Sequence, residues 1–117
     1  MHRNKPSGNI FLPFSEHKKP DKEIYEDLLV TKNLRIERIV STGQVTPEGT
    51  WYDQKEDEWV LLISGEAKIK FDYGKESKLK PGDYIYIPAG CRHRVTYTSE
   101  HPPAIWLAVF FKNTIEL

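Results

Sequence analysis

Four side chains in this sequence stand where they could do chemistry: His93, Glu58, Arg38 and Cys91. His93 lies in the stretch Pro81 to Tyr97, PGDYIYIPAGCRHRVTY, in which Pro81-Gly82 makes a turn, Tyr84 to Ile87 a short strand, and Pro88-Ala89-Gly90 a second turn. Pro88 cannot donate to a sheet ladder and Gly90 permits a positive φ, so the corner fixes where His93 points as it enters the next strand. Such a corner suits a ligand better than a flexible loop would. Glu58 opens a run, Glu58 to Ile63, that is apolar on both faces. A glutamate buried among apolar side chains must be paired, protonated or bound to a metal. Arg38 shares a strand face with Leu34, Ile36 and Val40. It reads either as an ion-paired arginine near a strand end or as an anchor for an acidic substrate. Cys91 is flanked by Arg92 and Arg94, which would lower its pKa, yet the sequence sets no base beside it, and an incidental corner residue is the better reading.

The elements that must position these groups are short strands. From Leu34 the period is two, with Leu34, Ile36, Arg38 and Val40 on one face and Arg35, Glu37 and Ile39 on the other, before a turn-rich stretch from Ser41 to Gly49. Ser64-Gly65 reads as a two-residue hairpin turn, after which Ala67, Ile69 and Phe71 alternate with Lys68 and Lys70. Asp72 to Ser77 turns again. Ala104 to Phe111, AIWLAVFF, is apolar on both faces and calls for a cover, either the N-terminal arm or a second subunit. At the N-terminus Met1 to Gly8 is polar, and Asn9 to Phe14 is an apolar segment that Pro13 demotes to an edge strand or extended arm. Pro20 suits the first turn of a short helix, with Asp21 and Glu23 near its start and Ile24, Leu28 and Leu29 on one face, lying as a lid. The reading is one all-β domain over residues 1–117, with arm and helix in 1–30 and a barrel in 34–112; there is no internal repeat or linker.

Gly82, Pro88, Gly90 and His93 stand at the spacing G-x5-P-x-G-x2-H, which resembles the second motif of the cupin family, with Tyr97 where that motif closes on Asn. Upstream, Trp51 to Gly65, WYDQKEDEWVLLISG, resembles the first cupin motif, H-x-H-x3-E-x6-G, with Glu58 and Gly65 matching and Tyr52 and Gln54 in place of the two His. Together the motifs cover about a third of the chain and specify a fold rather than a reaction. The resemblance implies a small jelly-roll barrel whose two motifs lie on neighbouring strands and converge in the lumen. It places His93, Val95 and Tyr97 inward, facing Tyr52, Gln54 and Glu58.

With His93 and Glu58 in the family's metal-ligand places and Gln54 offering an amide oxygen, the resemblance implies a divalent ion such as Zn²⁺, Mn²⁺ or Fe²⁺, with Asp53 joining if a bulge turns it inward. The set is poorer than three His and one Glu, because an amide is uncharged and a phenol ionises only near pH ~10. The alternative is a metal-free lumen in which Glu58, Gln54, Tyr52 and His93 hydrogen-bond one another or a ligand. Two functional classes follow: a metal-dependent enzyme acting on a small polar organic molecule, with Glu58, Tyr52 and Tyr97 as its catalytic residues, Glu58 or His93 holding the polarised substrate oxygen, Tyr52 or Tyr97 transferring a proton and Arg38 binding substrate, or a metal-free ligand-binding or regulatory module.

Composition narrows the partners. Seventeen basic and seventeen acidic residues cancel, so neither nucleic acid nor an anionic membrane is an expected partner, and the apolar runs are too short to span a bilayer. A single cysteine and no secretory signal point to a cytoplasmic setting. The excess of apolar strand surface points to a homodimer with exchanged arms.

Overall fold

Turn residues divide the chain from residue 24 onward into eight strands: β1 (Ile24–Val30), β2 (Leu34–Ser41), β3 (Asp57–Ser64), β4 (Ala67–Phe71), β5 (Glu76–Leu79), β6 (Tyr84–Ile87), β7 (His93–Thr98) and β8 (Ala104–Phe111). The computed structural model describes residues 6–11 and 21–112. All pairings are antiparallel. One sheet has five strands in the order β1-β2-β8-β3-β6 and the other three in the order β5-β4-β7, the all-β sandwich that the strand periodicities imply and the two-sheet jelly roll that the motif resemblance implies.

Alternation sets the core. Val60 and Leu62 of β3 and Trp106, Ala108 and Phe110 of β8 face Ile69 and Phe71 of β4 across the sandwich, and Leu62 is wholly buried. Burying each large side chain of this kind contributes about 1.5–3 kcal/mol. The Lys70 face of β4 is exposed, as the alternation requires.

Four expectations are corrected. Ile24–Val30 is a strand, not part of a helix; β1 satisfies its backbone by pairing along β2, which overrides a local N-terminal helix signal, and Pro20 lies outside the described residues. Ser64-Gly65 is not a hairpin, because β3 and β4 belong to different sheets; it is the corner between them. Gly65 has φ +78°, and a Cβ there would sit 2.5 Å from the Pro103 carbonyl oxygen and 2.8 Å from Ala104 Cα. β3 and β8 are buried along their inner faces but only in part on their outer ones: Asp57 and Ile105 are buried there, whereas Trp59, Leu61, Leu107 and Val109 are half-buried. These align in two rows across the five-stranded sheet, Leu29–Ile36–Val109–Trp59–Tyr86 and Glu26–Arg38–Leu107–Leu61–Tyr84.

Arg38 is the fourth correction. It points to this outer face, not into the lumen, where it pairs with Glu26 and donates to the Ile10 carbonyl at 3.1 Å. Of the proposed arm, Asn9 to Phe11 therefore runs over the outer side of β2; the rest lies outside the described residues. Both faces of β2 carry apolar residues, and the one with fewer of them, Arg35, Glu37 and Ile39, turned inward.

Candidate functional site

Backbone ladders hold the site together. Tyr52 N–H donates to the His93 carbonyl at 2.7 Å and His93 N–H returns to the Tyr52 carbonyl at 3.1 Å, while Gly90 N–H donates to the Gln54 carbonyl at 2.9 Å. The Pro88-Ala89-Gly90 corner is pinned by Asp57, whose carboxylate accepts the Ala89 N–H at 2.7 Å. Residues directly opposite in an antiparallel bridge project to the same side, so Tyr52 and His93 share a face with ring centroids 5.6 Å apart.

His93 Nδ1 is 2.9 Å from the Cys91 carbonyl oxygen. A carbonyl only accepts, so Nδ1 carries a hydrogen and Nε2 faces Glu58 Oε1 at 3.6 Å. Gln54 donates its amide to the same Oε1 at 3.0 Å. The side chains of His93 and Glu58 are only 5% and 11% exposed. Burial alone would lower the His93 pKa, but neighbouring Glu58 and the Cys91 carbonyl outweigh it, and the imidazole sits above its ordinary value.

The pair opens onto a cavity of about 90 Å³ inside the barrel, walled by Val60, Ile69, Ile87 and Val95 and by the rings of Tyr25, Tyr52, Trp106 and Phe110. Sequence reasoning missed three of its polar residues, Glu23, Tyr25 and Glu37. The indole N–H of Trp106 donates to Ser41 Oγ at 3.2 Å, Ser41 donates to Glu23, and Glu23 accepts the Tyr25 hydroxyl at 2.9 Å. Burial, then the Glu23 and Tyr52 side chains, push the Tyr25 phenol far above its usual range. Burial also raises the Glu37 carboxyl, against the pull of Arg35 and reinforced by the Asp27 carboxyl. The alternation of Glu23, Tyr25 and Asp27 was the available signal for these residues; the helix reading hid it.

Of the expected site residues, His93, Glu58 and Tyr52 meet at the cavity, with Gln54 on Glu58 behind them. Tyr97 does not. A register shift in the β4–β7 ladder pairs Lys68 with Tyr97 but Ile69 with Val95, so Thr96 is an extra residue. Val95 therefore lines the cavity while Tyr97 stands outside, 44% exposed under the Lys68 ammonium. Asp53 is exposed between inward neighbours and is not among the cavity's walls. Arg38 is on the outer face, as described.

A resident divalent ion finds a poor donor set here. His93 and Glu58 converge, but beyond them Gln54, whose NH2 is turned to Glu58, offers only an uncharged amide oxygen, Tyr52 offers only a phenol, and Asp53 is exposed and off the cavity wall. Among the described residues no three His, Cys, Asp or Glu side chains are grouped to hold a metal. A zinc centre ordinarily draws on at least three protein ligands.

The comparisons with known proteins agree with this architecture. A model of the cupin domain matches residues 39–110. A crystal structure from Ralstonia eutropha JMP134, described as a candidate mannose-6-phosphate isomerase, is 41% identical, covers 93% of this chain and 100% of its own, and superposes with a TM-score of 0.87. A cupin superfamily protein from Desulfitobacterium hafniense DCB-2 is 18% identical over 97% of this chain and 95% of its own, with a TM-score of 0.73. Among curated proteins none matches this sequence. No helix among the described residues is long and apolar enough to cross a membrane.

Proposed function

The chain belongs to the cupin family, and from that premise we propose that its barrel lumen receives a small polar organic molecule, with Glu58 and His93 as the pair that holds it and exchanges a proton with it. The observation that carries this reading is the buried Glu58–His93 contact opening onto the cavity. The Cys91 carbonyl fixes the imidazole tautomer, so a ligand beside Glu58 meets Nε2. Tyr52, on the same face, supplies a phenol at the mouth.

A divalent ion held by His93 and Glu58 is the second reading, favoured by one feature: an imidazole whose Nδ1–H rests on a carbonyl while Nε2 stands beside a carboxylate. The lack of a third strong donor argues against it, and no step of the reading above runs through a metal. We also read the protein as a homodimer, because the two outer rows of the five-stranded sheet leave Trp59, Leu61, Leu107 and Val109 half-buried with the aromatic rings of Tyr84 and Tyr86 exposed beside them.

The test is a panel of small polar molecules screened by protein NMR, following the His93 imidazole and the Trp106 indole, beside metal analysis of protein purified without chelator. Lumen ligands should move both resonances together and lose that effect in His93→Ala. One equivalent of metal in the wild type and none in His93→Ala would favour the second reading; a panel that moves neither resonance refutes the first.

A further inference from the structure

We propose that the lumen selects a small organic cation, an ammonium head with a few carbons, and excludes phosphorylated molecules; this rests on the reading of the lumen as a ligand site. Sign is the first reason. Glu23, Glu37 and Glu58 line the cavity, and His93 is the one basic side chain among its described walls. The nearest guanidinium, Arg35, lies outside the lining over the Phe110 ring at 4.3 Å, and its charge is already met by Glu37 at 3.6 Å and Glu56 at 3.3 Å. An anion entering here would face three carboxyl groups and find only the His93 imidazole, already set against Glu58 at 3.6 Å, to receive it, and a desolvated charge so poorly partnered is heavily penalised.

The walls are the second reason. Trp106 and Phe110 are buried at the floor while Tyr25 and Tyr52, 54% and 38% exposed, stand at the mouth, so four aromatic rings line one small space, and a ring face attracts a cation at exposed sites and more strongly where water is excluded. Glu58 and Glu23 stand among them, so a bound ammonium would meet both carboxylates and π-faces. Size is the third. A cavity of about 90 Å³ is well below the roughly 300–1,000 Å³ of sites for drug-sized ligands. That space suits a head group of a few heavy atoms and not a hexose phosphate. The relative described as a candidate mannose-6-phosphate isomerase therefore does not lend its named substrate to this lumen.

Three probes of similar size and different charge decide the matter: tetramethylammonium, tert-butanol and inorganic phosphate, titrated at constant ionic strength and pH 7.5. The readout is the Trp106 indole N–H resonance, identified by its loss in Trp106→Phe. Tetramethylammonium should saturate the shift with a Kd about tenfold or more below that of tert-butanol, equivalent to roughly 1.4 kcal/mol, and phosphate should leave it unmoved. Glu37→Gln and Glu23→Gln, made separately in case one fails to fold, should each weaken the cation several-fold and leave tert-butanol unchanged. If tert-butanol or phosphate binds as well as the cation, the selectivity is wrong while the lumen remains a ligand site. If none of the three moves Trp106, this inference is overturned, and the lumen reading falls with it only when the wider panel of small polar molecules also moves neither Trp106 nor His93.

Discussion

Replacing Arg38 with alanine should destabilise the protein without touching the lumen. The guanidinium is 7% exposed and its partner Glu26 carboxylate 20% exposed, so the pair is mostly desolvated. Removing one member of a buried pair costs about 3–5 kcal/mol when the other is left without compensation. Glu26 keeps some solvent, and the Ile10 carbonyl can turn to water once the arm lifts, which brings the expectation down to about 2–4 kcal/mol. That is a large part of the roughly 5–15 kcal/mol available to a domain of this size. In urea, at a slope of about 1.5 kcal/mol/M, the midpoint should fall by about 1.3–2.7 M with the slope unchanged. The companion measurement is the tetramethylammonium Kd under folding conditions, which should stay within about twofold of wild type, a few tenths of a kcal/mol. An unchanged midpoint together with weakened lumen binding would refute the reasoning and return Arg38 to the substrate.

Three further outcomes are expected. Because the folded His93 pKa lies above its reference of about 6.5, its proton adds stability that is fully present below that value and fades as pH rises through the folded pKa; Glu58→Gln should lower the NMR-observed His93 pKa and flatten that part of the stability profile, and an unchanged His93 titration would contradict this. Gly65→Ala should cost about 2–5 kcal/mol, about 1–2 from the left-handed backbone and about 1–3 from crowding against Pro103 and Ala104, read as a urea midpoint shift; a loss under about 0.5 kcal/mol would mean the corner relaxes freely. Light scattering at tens of micromolar should give the mass of two chains, and Leu107→Glu, which sets a charge between Arg38 and Leu61 beside the apolar row of the outer face, should give one; a monomeric wild type ends the dimer reading.

The sequence carried the fold where local signals and long-range pairing agree. Lys68 and Lys70 alternate cleanly because β4 has one wet face, and Pro88 with Gly90 marks a corner that has few other conformations open to it. It misled where two structures share one local signal. Ser64-Gly65 turns the chain equally well within a hairpin or between sheets, and only the pairing of β3 with β8 and β6 separates the two. Pro20 followed by acidic residues resembles a helix start, yet the neighbouring edge of β2 decides for a strand. In the candidate site, Glu58, His93 and Tyr52 could be read from spacing, since their relative placement follows from the motifs. The one-residue bulge at Thr96 leaves no trace in composition, so Tyr97 was assigned to the wrong face, and Glu37 was hidden because β2 is partly apolar on both sides.

The bridge between Tyr52 and His93, and the bond from Gly90 to the Gln54 carbonyl, are made entirely by backbone atoms. The positions of residues 52, 54 and 93 are thus held by the chain regardless of which side chains it carries there. Exchange at residues 52 and 54 alters the donor inventory of the lumen without asking the barrel to rebuild, and two substitutions, Tyr52→His and Gln54→His, separate the present lumen from three imidazoles around one carboxylate. In mutational distance the two kinds of site are neighbours. A lineage, or a designer, can cross from one to the other on an intact scaffold, with selection acting on the contents of the barrel alone.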